Sequence, residues 1–395
     1  MKKILLTGII LMIGTSLISC NSKGNSENVA KISVSESDID ENQSYFRDSM
    51  HSVAKAEHGY YFMDIKESHV CYYDDQQQES IILCNKAECT HSDDECMAYA
   101  GESQYLTNIY YYRGYIYLLY QNKEGNIVLQ SMEKDGSGRK DVAVLGPWGN
   151  DSKIMVAFCN GSAYVNINAS SISEEKATIS LIEASLDTGK THTVYEYTDV
   201  NTSMKKIRAY GSQVYFILRK YEKVDGKATL KGKGIYMYDT ETGKSQTVLD
   251  VDAYDFCIDP ANEKLYYYAT SDGLYSYDLN TSSSNKLMES SEDAAYCEVS
   301  FDGEHLFMDN SEWCGYSFAF INSEKKYEKK LWMMDFDGKV LQTVPLKNIV
   351  TMYYGDSSKL FAYYAVVGER SKLSYLDKAG IINGDMEWKS IEVAQ

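Results

Sequence analysis

The sequence is defined first by what it does not contain. After the first 20 residues no hydrophobic run approaches 18, so nothing later in the chain is long enough to cross a bilayer as a helix. No stretch holds a sustained helical period. Three prolines in 395 residues leave nearly every backbone N–H free to join a ladder. Basic residues are outnumbered, 39 against 57 acidic, which argues against nucleic-acid binding because that needs clustered Lys and Arg. There is no His-Glu-x-x-His, no Gly-x-Ser-x-Gly and no Walker glycine loop. That removes the sequence signals of zincins, α/β-hydrolases and P-loop NTPases. The histidines at 51, 58, 69, 192 and 305 are scattered, and such residues are usually structural.

The N-terminus is informative. Lys2 and Lys3 precede an apolar stretch from Ile4 to about Ile13, then small residues and Cys20, which reads as a secretory signal. Leu17-Ile18-Ser19-Cys20 resembles the lipobox of bacterial lipoproteins. The resemblance implies cleavage after residue 19 and acylation of Cys20, with several chains contributing about 0.8 kcal/mol per buried CH₂. The expected segments are a signal peptide over 1–19, a lipidated Cys20 and Ser/Asn/Glu-rich tether over 20–44, and one domain over 45–395. Cleavage leaves 37 basic against 57 acidic residues, net −20. The expected address is therefore extracytoplasmic, held to the cell membrane by lipid and repelled from an anionic bilayer.

Tyrosine dominates what remains. There are 35, in strings such as "IYYYRGYIYLLY" (109–120) and "KLYYYATSDGLYSYDL" (264–279). Aromatic and β-branched runs of this length, broken by short polar turns, read as strands. A strand of one type begins near 59, 114, 161, 211, 262, 303 and 357, at spacings of 55, 47, 50, 51, 41 and 54 residues. Gly59, Gly114, Gly161, Gly211 and Gly303 open these strands, where a tight turn favours φ > 0. A third strand ending in an acidic turn follows each: Asp135-Gly136, Asp187-Thr188-Gly189 and Asp337-Gly338 are hairpin signals. Four strands per 50 residues is the pattern of a propeller blade. The fold class is therefore all-β, a seven-bladed β-propeller, with six or eight blades the nearest alternatives because "KAGIINGDMEW" (378–388) is irregular.

"SMEKDGSGRK" and "MMDFDGKV" resemble the third-to-fourth-strand hairpin of TolB-like propellers. "YDTETGKSQT" and "LDTGKTHT" resemble the repeat of quinone-dependent dehydrogenases. That family places a Trp after Thr-Gly-Lys, where Ser245-Gln246 and Thr191-His192 stand here, so no quinone cofactor is expected.

One segment is unlike the rest: "LCNKAECTHSDDECMAY" (83–99). Its register places it between the fourth strand of blade 1 (79–83) and the first strand of blade 2 (106–112). It is expected at the end carrying the second-to-third-strand loops. Those loops are long in blade 3 (168–177), blade 4 (220–233) and blade 6 (309–329), and the end they share is the expected interaction surface. Cys84, Cys89, His91 and Cys96 admit three readings. A disulfide staple is the plainer one outside the cytoplasm, with Cys71 one strand away and able to take the leftover thiol. A Cys₃His zinc site fits the residue types, although Cys-x4-Cys departs from the usual Cys-x2-Cys opening. Free thiols are the third. Asp93, Asp94 and Glu95 read as an exposed acidic turn. Cys159, Cys257 and Cys297 fall near predicted inner strands and read as small buried hydrophobes, as does Cys314.

The lipobox, the Tyr-rich blades and the cysteine segment together resemble β-propeller surface lipoproteins of anaerobic Gram-positive bacteria. The resemblance implies address and fold. On function, the sequence points to a non-catalytic binding or scaffold protein with a protein, peptide or glycan partner, and with no cofactor unless zinc occupies the cysteine segment. A polysaccharide or cell-wall hydrolase or lyase is one alternative, since two carboxylates about 5–10 Å apart suffice. An accessory to an export or uptake system is another. No catalytic residue is assigned.

Overall fold

A computed structural model describes residues 53–64, 68–92, 95–100, 105–147, 154–168, 176–224, 227–311, 328–347, 349–353, 356, 358–364 and 372–394. The expected signal peptide, Cys20 and the tether lie outside these residues, as do Asp93, Asp94 and Cys314. Among the described residues no helix is long and apolar enough to cross a membrane.

Seven antiparallel sheets follow one another along the chain, each with its strands in sequence order. The expected second strands are found at Gly59–Asp64, Tyr115–Gln121, Ser162–Asn168, Gln213–Val224, Lys264–Ala269, Leu306–Asp309 and Lys359–Tyr364. Consecutive first strands touch one another in blades 1–2, 3–4, 4–5 and 5–6, which makes them the inner wall. The fold is a seven-bladed β-propeller.

The apolar residues explain why the ring is the stable form. Each sheet has two faces, and both are hydrophobic in the Tyr- and Val-rich strands. Buried side chains gather in seven clusters, one between each successive pair of blades, including blades 7 and 1. Each large side chain removed from water in such a seam contributes about 1.5–3 kcal/mol. An isolated blade would leave both faces wet.

Tyrosine rather than phenylalanine fills the seams because its hydroxyl can reach the next blade's backbone. Tyr363 Oη donates to the Met63 carbonyl (2.7 Å), tying blade 7 to blade 1. Tyr61 Oη donates to the Lys134 carbonyl (3.2 Å), and Tyr277 Oη to that of Val248 (3.4 Å). In the other direction, the Ile258 amide donates to Tyr210 Oη and the Gly161 amide to Tyr112 Oη, each at 3.2 Å.

Closure uses a device that the repeat spacing does not reveal. Val393–Ala394 pairs in parallel with the fourth strand of blade 1, Val393 opposite Ser80, giving that blade a fifth strand. Ser80 Oγ donates to the Glu392 carbonyl at 2.5 Å. The irregular stretch at 378–388 holds a short helix, Lys378–Ile382, which shortens blade 7's own fourth strand to Lys389–Ser390.

Two local expectations need correction. Gly114, Gly161, Gly211 and Gly303 have positive φ, but Gly59 does not. Its requirement is space: a Cβ there would collide with the Tyr73 carbonyl of the neighbouring strand. The blade 4 stretch over 220–233 is not a long loop. Its strands run on as a ladder with one bulge at Leu218/Arg219, Gln213–Val224 against Lys227–Asp239, closing at Val224 opposite Lys227. In blades 3 and 6 the cores of the expected loops, residues 169–175 and 312–327, lie outside the described residues.

Candidate functional site

The cysteine segment sits where the register places its ends, after Glu79–Ile82 and before Tyr105–Tyr112. Its course differs from the expectation. The Asn85 amide donates to Asp135 (3.0 Å), and Gly136 lies against the Leu83 carbonyl so closely that a Cβ would collide with it. Arg139 donates to the carbonyls of Tyr99 (2.9 Å) and Met97 (2.6 Å). All three belong to the third-to-fourth-strand turn of blade 2, which antiparallel order puts at the opposite end from the second-to-third-strand loops. The far end of the segment returns to the second-to-third-strand end of blade 1, the end expected for it: Val70 N–H donates to the Ala98 carbonyl and Ala100 N–H to that of Ser68. The segment therefore lines the flank between blades 1 and 2, with Cys96, Ala98 and Ala100 in their shared core. It is not a free loop on one end.

Within it the four expected residues converge. One ligand atom from each of Cys84, Cys89, His91 and Cys96 lies within 4.8 Å of all the others. His91 Nδ1 stands 3.3 Å from Cys96 Sγ. Glu88 and His91 take positive φ, 62° and 56°, which swings the residues between them toward the centre. His69, read from sequence as merely structural, holds this bend: its Nε2 donates to the His91 carbonyl at 2.6 Å. Burial alone would raise the Cys84 thiol. The amides of Lys86 and Met97 and the thiols of Cys89 and Cys96 outweigh it and hold Cys84 below the usual thiol range. Burial and the two neighbouring sulfurs push Cys96 up to about 11.

No disulfide joins any of the described cysteines. The disulfide staple favoured by the extracytoplasmic address is therefore not seen, and Cys71 is not joined to the leftover sulfur. Cys71 is fully buried in the seam with blade 7, which explains why it stays apart. Cys159, Cys257 and Cys297 are buried packing residues, as expected.

A second constellation was not legible. A bulge between Lys205 and Arg208 turns Lys206 and Arg208 into the inner wall. Lys206 Nζ lies 2.8 Å from Glu298 and 3.5 Å from Asp255, and Arg208 Nη2 lies 3.1 Å from Asp255. The amides of Phe256 (2.8 Å) and Val299 (3.0 Å) also donate to Asp255. All four side chains are at most 6 % exposed. Lys206 thus sits between two carboxylates from neighbouring blades, as Lys359 does between Asp75 and Asp377.

A third feature is a raised rim. The long strands of blade 4 rise beside those of blade 3, Lys176–Ser185 and Thr191–Val200, at the end of the second-to-third-strand loops. Asp199 ties them together, 3.0 Å from Lys220 and 3.5 Å from Lys233, while Lys233 donates to Tyr197 Oη at 2.7 Å. The Lys220 ammonium and the Val200 amide hold Asp199 down to about 2.

No protein-family model matches the sequence, and no curated protein is significantly similar to it. Solved structures share the architecture. A prolyl endopeptidase from a study of two such enzymes is 12 % identical, with a TM-score of 0.58 over 89 % of this chain and 51 % of that one. The tricorn protease is 10 % identical with a TM-score of 0.49, over 94 % of this chain and 36 % of its own length. TolB from Acinetobacter baumannii is 12 % identical with a TM-score of 0.38, over 83 % and 76 %. The chain thus spans about a third of the tricorn protease and half of the endopeptidase. At these identities the likeness is one of fold.

Proposed function

We propose that the mature protein is a lipid-anchored scaffold outside the cytoplasm that binds a protein, peptide or glycan without transforming it. Cys20 carries the lipid, residues 20–44 are the tether, and the propeller is the rigid head. The observation that carries the reading is the rim. Among the described residues, blades 3 and 4 hold the longest strands, Lys176–Ser185, Thr191–Val200, Gln213–Val224 and Lys227–Asp239, and ion pairs at Asp199 tie the two blades together. Rigid projections of this kind present contacts without the entropy loss of ordering a loop. The inner wall supports the non-catalytic part. Asp255 and Glu298 are closed over by Lys206 and Arg208 and shielded from water, which is a poor arrangement for the water-accessible carboxylates of a hydrolase.

The test uses the full-length chain, displayed on intact cells and screened on a glycan panel. A second version closes the blade 4 ladder at Tyr221 and Leu230 with a two-residue turn in place of 222–229. We expect the native chain to retain a ligand and the shortened chain to lose it, with the same thermal unfolding. Turnover of any panel glycan would refute the non-catalytic reading. Equal capture by both chains would refute the rim.

A further inference from the structure

We infer that Cys84, Cys89, His91 and Cys96 form a closed zinc(II) site that fastens the 83–100 segment into the wedge between blades 1 and 2. The inference is independent of whatever the rim binds.

The donor geometry comes first. Zinc–sulfur bonds of about 2.3 Å and zinc–nitrogen bonds of about 2.0–2.1 Å, arranged tetrahedrally, put donors roughly 3.5–3.8 Å apart. The four donors here all lie within 4.8 Å of one another, and the one sulfur–nitrogen separation given above is 3.3 Å. A small contraction of the cage completes the tetrahedron. A disulfide would use only two of the three sulfurs, at about 2.05 Å, and would give the third sulfur and the imidazole nothing to do.

The donor types come second. Three sulfurs and one imidazole nitrogen suit zinc and exclude the hard oxygen-seeking cations. All four positions are filled by protein, so no site is open to water or substrate, and the role is structural. Each thiol gives its proton to solvent on binding; three thiolates, one neutral imidazole and Zn²⁺ leave a net charge of −1.

The surroundings come third. The nearby Lys86 ammonium is turned away to the Glu95 carbonyl and does not enter the cluster. Among the described residues of this stretch, 85–92 and Glu95, Cys89 packs against the wedge core and most of the others are exposed, so burial does little to fix their course. The bend at His91 is already gripped from behind by His69. Outer partners of this sort orient a ligand and raise its affinity for metal.

The full-length chain, purified from membranes without chelator under reducing anaerobic conditions, tests this. Metal analysis should find about one zinc per chain. After stripping, cobalt(II) should restore the fold and give thiolate-to-metal charge transfer with the intense visible bands of a tetrahedral site. Alkylation of Cys84, Cys89 and Cys96 should slow by more than about tenfold on reloading. Cys89→Ser should weaken metal retention by more than about tenfold. His91→Cys should keep the metal and shift the cobalt spectrum toward four sulfurs. Should Cys89→Ser fail to fold, the stripping and reloading of the native chain still decides. A metal-free reduced chain, a mass lighter by two hydrogens with a cross-linked peptide from this segment, or a cobalt spectrum without thiolate bands would each overturn the site.

Discussion

Two of the four-membered side-chain clusters in this ring are opposites. On the inner wall, Lys206, Arg208, Asp255 and Glu298 sum to no net charge, and each answers another. On the flank of blade 1, Cys84, Cys89, His91 and Cys96 point four Lewis-basic atoms at one centre with no cation among them. The first set balances its charge as the chain makes it. The second is, on our proposal, completed by zinc. Both stand where the repeat is interrupted: a bulge in one case, an inserted segment in the other. Departure from the blade pattern is thus where this chain keeps its concentrated chemistry.

The largest effect should come from unbalancing the complete set. Asp255→Ala leaves two buried cations facing one carboxylate and strands the amides of Phe256 and Val299. We expect a loss of about 3–5 kcal/mol in urea unfolding at neutral pH. Chelators should not change it. If Asp255→Ala costs no more than a surface substitution, the inner set is not balanced by mutual pairing and the contrast fails.

A mixed case lies at the seam of blades 7 and 1. Burial alone would raise the Asp356 carboxyl, but the Lys55 ammonium (2.8 Å) outweighs it, with help from Tyr60 Oη (2.7 Å) and Ser358. The result is a carboxyl well below its ordinary range. A depressed folded-state value contributes stability that is present above the unfolded value and is lost as pH falls toward the folded one. The urea midpoint should therefore decline as pH drops below about 4, and Asp356→Asn should flatten that slope. At neutral pH the same substitution should cost about 1–3 kcal/mol. An unchanged acid slope in the variant would show that other carboxylates carry it.

A neutral crossing gives the next step down. Tyr363→Phe removes only the hydroxyl that reaches the Met63 carbonyl across the same seam. About 1 kcal/mol should be lost, without pH dependence. A pH-dependent loss would mean that the hydroxyl serves the Asp356 network instead.

How much of this could be read from the sequence follows from what each feature depends on. Strand positions were legible because tyrosine runs and Asp-Gly turns act locally: Gly59–Asp64 and Lys359–Tyr364 lie within two residues of their predicted starts. The four residues of the flank site were legible because they are unusual and close in sequence. Their environment was not. Arg139 and Gly136 sit in a turn whose "DGSGRK" reads only as a hairpin, and nothing local shows that it clasps a segment some 40–50 residues earlier. Lys206, Asp255 and Glu298 come from three blades, and a bulge shifts the alternation that would have marked Lys206 as facing inward. The fifth strand of blade 1 is two residues of an unremarkable tail, selected by proximity once the ring has formed.

The smallest effect tests whether balance or burial makes the inner set matter. Glu57 and Lys134 pair across blades 1 and 2 at 2.5 Å, opposite charges in close contact like Lys206 and Glu298, but both are 51 % exposed. Burial here is slight and would raise Glu57; Lys134 and Tyr111 bring it down to about 2. Water screens such a pair and the long lysine loses freedom to hold it, so Glu57→Gln should cost less than about 1 kcal/mol and still less in high salt. A double-mutant cycle on Glu57 and Lys134 should give a small, salt-sensitive coupling, and one on Lys206 and Glu298 a larger coupling that salt hardly touches. If the two couplings match, contact alone sets the strength, and exclusion of water from the inner wall contributes nothing.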